Sequence, residues 1–258
     1  MYSIIKWNVL ATLKNKIVYA LLLAIMIILG LDIYSMISFL DIKGDEIQFV
    51  DILYRAIGGV GSSNILLEYI MWILLQAILV ILCNQVVLSD FYSMVLTRLY
   101  NRTGLILGRL ISLAILVCVY TLTLYILVAI IFSISNDLIG LKFGISLVSE
   151  EVIGSYFLLS SGMICLVFII ESIQIIIKKS FVVYMGCFLL FVSLGLVCLE
   201  GRIPRIFSPI MYGSINYLKV NNYNIYESIG LNILVGLVFL VISITLNRRY
   251  NYPLFNKE

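Results

Sequence analysis

Six long apolar runs divide the chain and limit what it can fold into. They cover residues 17–36, 65–88, 110–134, 153–177, 181–199 and 228–246. Each is close to the roughly 20 residues that an α-helix needs to cross the hydrocarbon core of a bilayer. A helix also pairs its backbone N–H and C=O groups internally, which lipid requires because it offers no partners. The runs therefore predict an all-α membrane protein with six transmembrane helices in a single transmembrane domain, residues 1–258.

The composition supports a membrane protein and argues against enzyme activity and metal binding. Of the 258 residues, 62% are hydrophobic and 12% are charged, whereas soluble proteins contain roughly half and a quarter. Histidine is absent, which removes the commonest general base and neutral metal ligand. The five cysteines lie in apolar runs without a CxxC spacing, as buried hydrophobic side chains do. We therefore expect no enzyme activity, metal site or cofactor in this chain, and its net charge of +3 does not indicate a nucleic-acid partner.

Lysine and arginine predict the orientation, because cytoplasmic segments of membrane proteins carry an excess of both. Placing both termini in the cytoplasm puts eleven of the 17 basic residues there, in shorter segments than the loops on the other side. These residues are Lys6, Lys14, Lys16, Arg98, Arg102, Arg109, Lys178, Lys179, Arg248, Arg249 and Lys257. We predict a multi-pass protein of the cell membrane with both termini cytoplasmic.

The first 16 residues are too polar for a membrane span, but they carry an apolar stripe that includes Ile5 and Val9. This pattern predicts an interfacial helix on the inner membrane surface. The alternative is the first part of a signal peptide, but no small-residue cleavage site follows the long apolar run.

Small residues mark two places where the chain is expected to pack closely. Residues 38–64 are predicted to be a polar loop, in which Gly58 and Gly59 form either a flexible turn or a small-residue contact. Ser160, Ser161 and Gly162 allow another segment to approach the fourth run closely.

The segment 89–109 is a basic interruption between two runs. It contains one acid and three arginines, and its middle has the spacing of a short amphipathic helix with Leu99 and Tyr100 on its apolar face. The segment is either a solvated loop that follows the ordinary charge bias or a docking site for a cytoplasmic partner. The charged residues are Asp90, Arg98, Arg102 and Arg109.

Glu171 is the most notable polar residue inside an apolar run. Helical rise places it roughly 10 Å from the inner boundary, two turns before Lys178. A carboxylate at that depth is costly and is a functional candidate. The alternative is a helix–helix contact in which Glu171 is protonated or paired with Lys178 or Lys179. The amides of Gln76, Gln85, Asn84 and Gln174 are expected to join helices.

The order of these features resembles the membrane subunits of ABC-2-type ABC transporters, in particular the small permeases of bacterial peptide, bacteriocin-immunity and drug exporters. Asp90, Arg98, Arg102 and Arg109 match the family's coupling helix in order and rough spacing. The resemblance implies that this helix docks on a separate ATPase that binds ATP, with Leu99 and Tyr100 pressed against it. It also implies a homodimer or a second permease subunit, and short re-entrant helices within residues 203–227.

Two functions follow as expectations. The first is the permease subunit of an ATP-driven exporter that moves an apolar or amphipathic substrate, such as a peptide, lipid or drug. The chain has no Walker motif, so the resemblance places ATP hydrolysis on the partner. The alternative is a stand-alone immunity protein that binds a toxic peptide in the membrane without an ATPase.

Overall fold

The computed structural model describes residues 16–43, 49–60, 65–87, 102–139, 149–177 and 180–249, together with residues 5, 6, 9, 10 and 14. These residues contain eight α-helices and two short 3-10 helices, Arg205–Phe207 and Pro209–Met211, and the described ranges contain no strand. The α-helices are α1 (Lys16–Lys43), α2 (Phe49–Ile57), α3 (Ile65–Val87), α4 (Arg102–Ile139), α5 (Glu150–Ile177), α6 (Ser180–Leu199), α7 (Ile215–Val220) and α8 (Ile225–Arg249).

The six predicted runs lie on α1, α3, α4, α5, α6 and α8, apart from residue 88, which is outside the described residues. Two further apolar stretches with described side chains, Val18–Tyr34 and Glu68–Asn84, are shorter. The prediction of an all-helical protein of membrane character is therefore confirmed for the described residues, while six crossings remain a prediction. The helices long and apolar enough to cross a membrane include Ile106–Ile134, Glu150–Ile177, Val182–Leu199 and Ile225–Leu246.

Part of the predicted interfacial helix is described. Residues 5, 6, 9 and 10 are helical, and the N–H of Lys14 donates to the carbonyl oxygen of Leu10 at 3.0 Å. That is the i to i−4 spacing of an α-helix. The other residues of this segment lie outside the described residues.

Helix α5 is the central element of the bundle. It is the most buried of the four long apolar helices and contacts α4, α6 and α8. Several polar contacts join α5 to α8; among them, the hydroxyls of Ser172 and Ser243 lie 2.8 Å apart, and the Asn232 amide donates to Ser161 Oγ at 3.1 Å. We call the end of the bundle where α4 begins and α5 ends the Arg109 end, and the other end the α2 end.

The prediction of a polar loop over residues 38–64 was wrong in two places: residues 38–43 continue α1, and the centre forms α2. The apolar side chains of this helix are buried, whereas Asp51 and Arg55 are exposed one turn apart. A 3.6-residue period of this kind folds as an amphipathic helix because one face can be withdrawn from water. The buried residues are Phe49, Val50, Ile52, Leu53, Tyr54, Ala56 and Ile57.

Helices α2 and α7 are joined by hydrogen bonds to the backbone. Ser214 Oγ accepts from the N–H of Val60 at 3.2 Å, and the Asn216 side chain donates to the carbonyl oxygens of Tyr54 and Gly59 at 2.7 and 3.0 Å. Gly59 has a φ of +83°, in the left-handed region, and a Cβ there would overlap Ser214. The small-residue contact, one of the two interpretations of Gly58 and Gly59, is therefore confirmed.

A buried arginine organises the chain between α6 and α7. Arg205 donates to the carbonyl oxygens of Met211 and Tyr212 and, at 3.0 Å, to Ser228 Oγ. Burial lowers the pKa of Arg205 from its ordinary value, but an arginine remains charged at any physiological pH. The acceptors therefore satisfy a buried cation and hold the two 3-10 helices against α8.

The predicted close packing of the fourth run is confirmed at Gly162. A Cβ on this residue would overlap the backbone of Gly213, whereas a Cβ on Gly186 of α6 would meet no atom within 4 Å. The contact joins α5 to the segment before α7. Its tightness depends on the absence of a side chain at position 162.

We expect Gly162→Ala to lower the free energy of unfolding by about 1–3 kcal/mol, because overpacking forces the backbone of the neighbouring segment to shift. Gly186→Ala is the matched control and is expected to be neutral or slightly stabilising, since alanine favours a helix. Thermal unfolding of both variants in detergent measures the difference. Equal midpoints would contradict the close contact.

Candidate functional site

The position of Arg109 follows from the length of α4. The helix begins at Arg102 and continues to Ile139 without interruption, so Arg109 lies two turns, about 10 Å, from its start. Gly108 and Leu110 on either side are buried. The guanidinium of Arg109 therefore lies inside the bundle and not at the end of the helix.

Arg109 binds two residues of α5 through one nitrogen. Its Nη2 donates to Glu171 Oε1 at 2.8 Å and to Gln174 Oε1 at 2.7 Å. Residues three apart on a helix share a face, so one donor reaches both acceptors. The side chains of Arg109 and Glu171 are 12% and 4% exposed, which makes this an ion pair withdrawn from solvent.

The same carboxylate connects α5 to α6. The hydroxyl of Tyr184, a fully buried side chain on α6, donates to Glu171 Oε1, the oxygen that Arg109 also binds. Cys83 of α3 is buried beside the cluster. Glu171 is therefore an acceptor shared by donors from two helices, and we call Arg109, Glu171, Gln174 and Tyr184 the polar cluster.

The energetics explain why these residues belong together. A charge withdrawn from water costs several kcal/mol, which a partner of opposite sign and additional hydrogen bonds offset. Arg109 and Glu171 neutralise each other, and Gln174 and Tyr184 supply the extra hydrogen bonds. A carboxylate that accepts from both donors is suited to holding helices in register. Among the residues that the structure describes, no group of three or more His, Cys, Asp or Glu side chains lies close enough to hold a metal ion.

The structure describes part of the predicted site. Arg102 is the first residue of α4, and the predicted contact residues before it, Asp90, Arg98, Leu99 and Tyr100, lie outside the described residues. Arg109, which the resemblance assigned to the docking surface, contacts Glu171 of α5, and its docking role stays a prediction.

Glu171 lies in a helix–helix contact, one of the two interpretations of this residue, and its pairing with Lys178 or Lys179 stays a prediction. Lys178 and Lys179 lie outside the described residues, and the contacts found are with Arg109 and Tyr184. The role of Gln174 as a side chain that joins helices is confirmed by its bond to Arg109. Tyr184 was missed because a tyrosine near the start of an apolar run is ordinary in a membrane helix.

A groove lies near the α2 end, between α4 and the first residues of α2 and α5. It has a volume of about 500 Å³ and is lined by mainly apolar side chains that include Phe49, Ile130 and Val152. Exposed acids lie close to this lining in sequence: Asp51 is on α2 with Phe49, and Glu151 precedes Val152. The groove therefore offers a mainly apolar surface.

Comparisons with protein-family models, with curated proteins and with solved structures found no match to this chain.

We expect single changes in the polar cluster to cost more stability than a paired change. Glu171→Leu or Arg109→Leu leaves one buried charge without its partner and should cost about 3 kcal/mol. The double variant removes both charges and should recover most of that loss, because a buried ion pair contributes little net stability relative to apolar side chains.

Chemical unfolding in detergent, arranged as a double-mutant cycle, measures this coupling. Ser172→Ala is a matched control on the same helix, since Ser172 is buried but contacts α8. Additive losses in the double variant would contradict the ion pair.

Proposed function

We propose that this chain is the transmembrane permease subunit of an ATP-driven exporter, with six membrane crossings and both termini in the cytoplasm of the cell. The observation that carries the proposal is the continuity of α4. This helix connects the basic segment at its start to the buried polar cluster, so a partner that moves the segment would move α4 as a rigid rod. The resemblance to ABC-2 permeases supplies the class of partner, a cytoplasmic ATPase.

Six crossings are supported by the lengths of α1 and α3. These helices contain 28 and 23 residues, or about 42 and 34 Å at the ordinary helical rise. Both lengths exceed the ~30 Å hydrocarbon core of a bilayer. In this proposal they cross the membrane together with the four long apolar helices, and an even number of crossings leaves both termini on one side.

The polar inventory supports an external energy source. A transporter driven by an ion gradient needs titratable or ion-coordinating groups near the middle of the membrane. The ion pair at the Arg109 end instead joins helices, with Gln174 and Tyr184 as further hydrogen-bond partners. ATP bound by a separate subunit is the alternative that the basic segment before α4 fits.

A dimer or a second permease fits the exposed apolar faces. Side chains of α8 that include Leu234, Leu237 and Val241 are more than half exposed, as expected for contact with lipid or with another transmembrane subunit. In this proposal the substrate path lies between two such subunits. The short helices between α6 and α8 then occupy the place where the family has its outer re-entrant helices.

A second function is favoured by the groove near the α2 end. Its mainly apolar lining is suited to the apolar face of an amphipathic peptide. A stand-alone immunity protein could bind a toxic cationic peptide there without any ATPase. Protection of cells that lack every candidate ATPase would favour this second function over the exporter.

We expect the paired charge reversal Arg98→Glu and Arg102→Glu to weaken association with the ATPase by about 100-fold or more, since like charges set opposite each other cost several kcal/mol. Affinity purification of the tagged chain from its native membrane, followed by quantification of the co-purified ATPase, measures this effect. The exporter is contradicted if the unaltered chain recovers no ATPase.

A control at the other end of the bundle is Arg202→Glu. Arg202 is an exposed arginine in the segment after α6, at the α2 end, where it bonds Glu200 at 2.9 Å. Its reversal changes the net charge of the chain at the α2 end, far from the proposed docking segment before α4. We therefore expect ATPase recovery to be unchanged. Equal losses in both variants would show an effect of net charge instead of a docking site before α4.

A further inference from the structure

Three helices meet at one carboxylate oxygen. Glu171 Oε1 accepts from Arg109 of α4 and from Tyr184 of α6, and α5 carries the carboxylate between them. A second bond from Arg109 to Gln174 fixes α4 against α5 at two successive positions along one face. The carboxylate of Glu171 therefore joins both α4 and α6 to α5.

The cluster lies at the place where movement from a docked partner would enter the bundle. Arg109 is two turns after the start of α4, and Tyr184 is about one turn after the start of α6. Apolar contacts between membrane helices permit sliding, because exchanging one hydrocarbon neighbour for another changes little energy. Hydrogen bonds to a buried carboxylate resist sliding, since separating them leaves a charge unpaired.

We propose that Arg109, Glu171 and Tyr184 form the joint through which movement of α4 is transmitted to α5 and α6 during the ATPase cycle. The inference rests on the proposed function and assigns the three residues as positioning residues. Without the joint, α4 still follows the docked ATPase, but α6 does not follow α4. The docking surface and ATP hydrolysis are left intact, so the loss is one of coupling.

Hydrogen–deuterium exchange of the purified complex tests this joint. Exchange is compared with and without ATP plus orthovanadate, at the first turns of α4 and at the first turns of α6. In the unaltered chain the nucleotide should change exchange at both places. In Glu171→Gln and in Tyr184→Phe, the nucleotide-dependent change in exchange at α4 should persist. The change at α6 should fall at least about fivefold, which is the lower end of ordinary coupling between sites.

Two comparisons separate coupling from a general structural effect. Tyr184→Phe removes one hydroxyl and keeps the ring, so it is expected to fold normally. It still tests the joint if Glu171→Gln fails to fold. Ser172→Ala is the matched control: it follows Glu171 on α5 but contacts α8, and both responses should be retained.

The outcomes distinguish this inference from the proposed function. If α6 responds to nucleotide in both variants as it does in the unaltered chain, the joint is wrong while the exporter stands. The joint is also wrong if α6 of the unaltered chain shows no response although the ATPase is bound. If no ATPase is recovered with the unaltered chain, the proposed exporter function is wrong, and this result precedes the exchange measurement.

Discussion

A polar group withdrawn from water into an apolar bundle needs a partner inside the protein, and this requirement sets the register of the helices. The indole N–H of Trp72 donates to the carbonyl oxygen of Ile210 at 2.7 Å, and the hydroxyl of Tyr120 donates to that of Leu75 at 2.8 Å. Both bonds join separate elements. Apolar side chains supply most of the contact between these helices, but the polar bonds select one position among many that would pack comparably well.

Helix α5 shows how the two ends of the bundle are related. Near the Arg109 end it carries Glu171, which is bonded to α4 and α6. Toward the α2 end Gly162 meets Gly213, and Ser155 accepts from Tyr125 of α4 at 2.8 Å. A buried helix with specific contacts near both ends is suited to transmitting displacement, as the proposed joint of the proposed exporter requires.

The helices were predictable because their apolar runs are long, whereas α2 was not. Its amphipathic pattern is short and lies among polar residues such as Asp41 and Lys43, where a loop is the ordinary expectation. Glu171 was predictable as a functional candidate, since a carboxylate inside an apolar run stands out from its surroundings. Tyr184 and the inward orientation of Arg109 were not predictable, because each depends on the rotation of one helix against another. The exporter, its ATPase and the six crossings remain predictions.

The sequence by itself determined an all-helical protein of membrane character, because long apolar runs can satisfy their backbone in lipid as helices. It also determined where charge would be costly, and this cost is enough to single out Glu171. The tertiary structure alone decided that Arg109 is the partner of Glu171 and that Tyr184 shares its oxygen. The physical reason is that hydrophobic periodicity specifies which residues enter the bundle, whereas the pairing of buried charges is settled by how the helices are rotated and aligned when they pack.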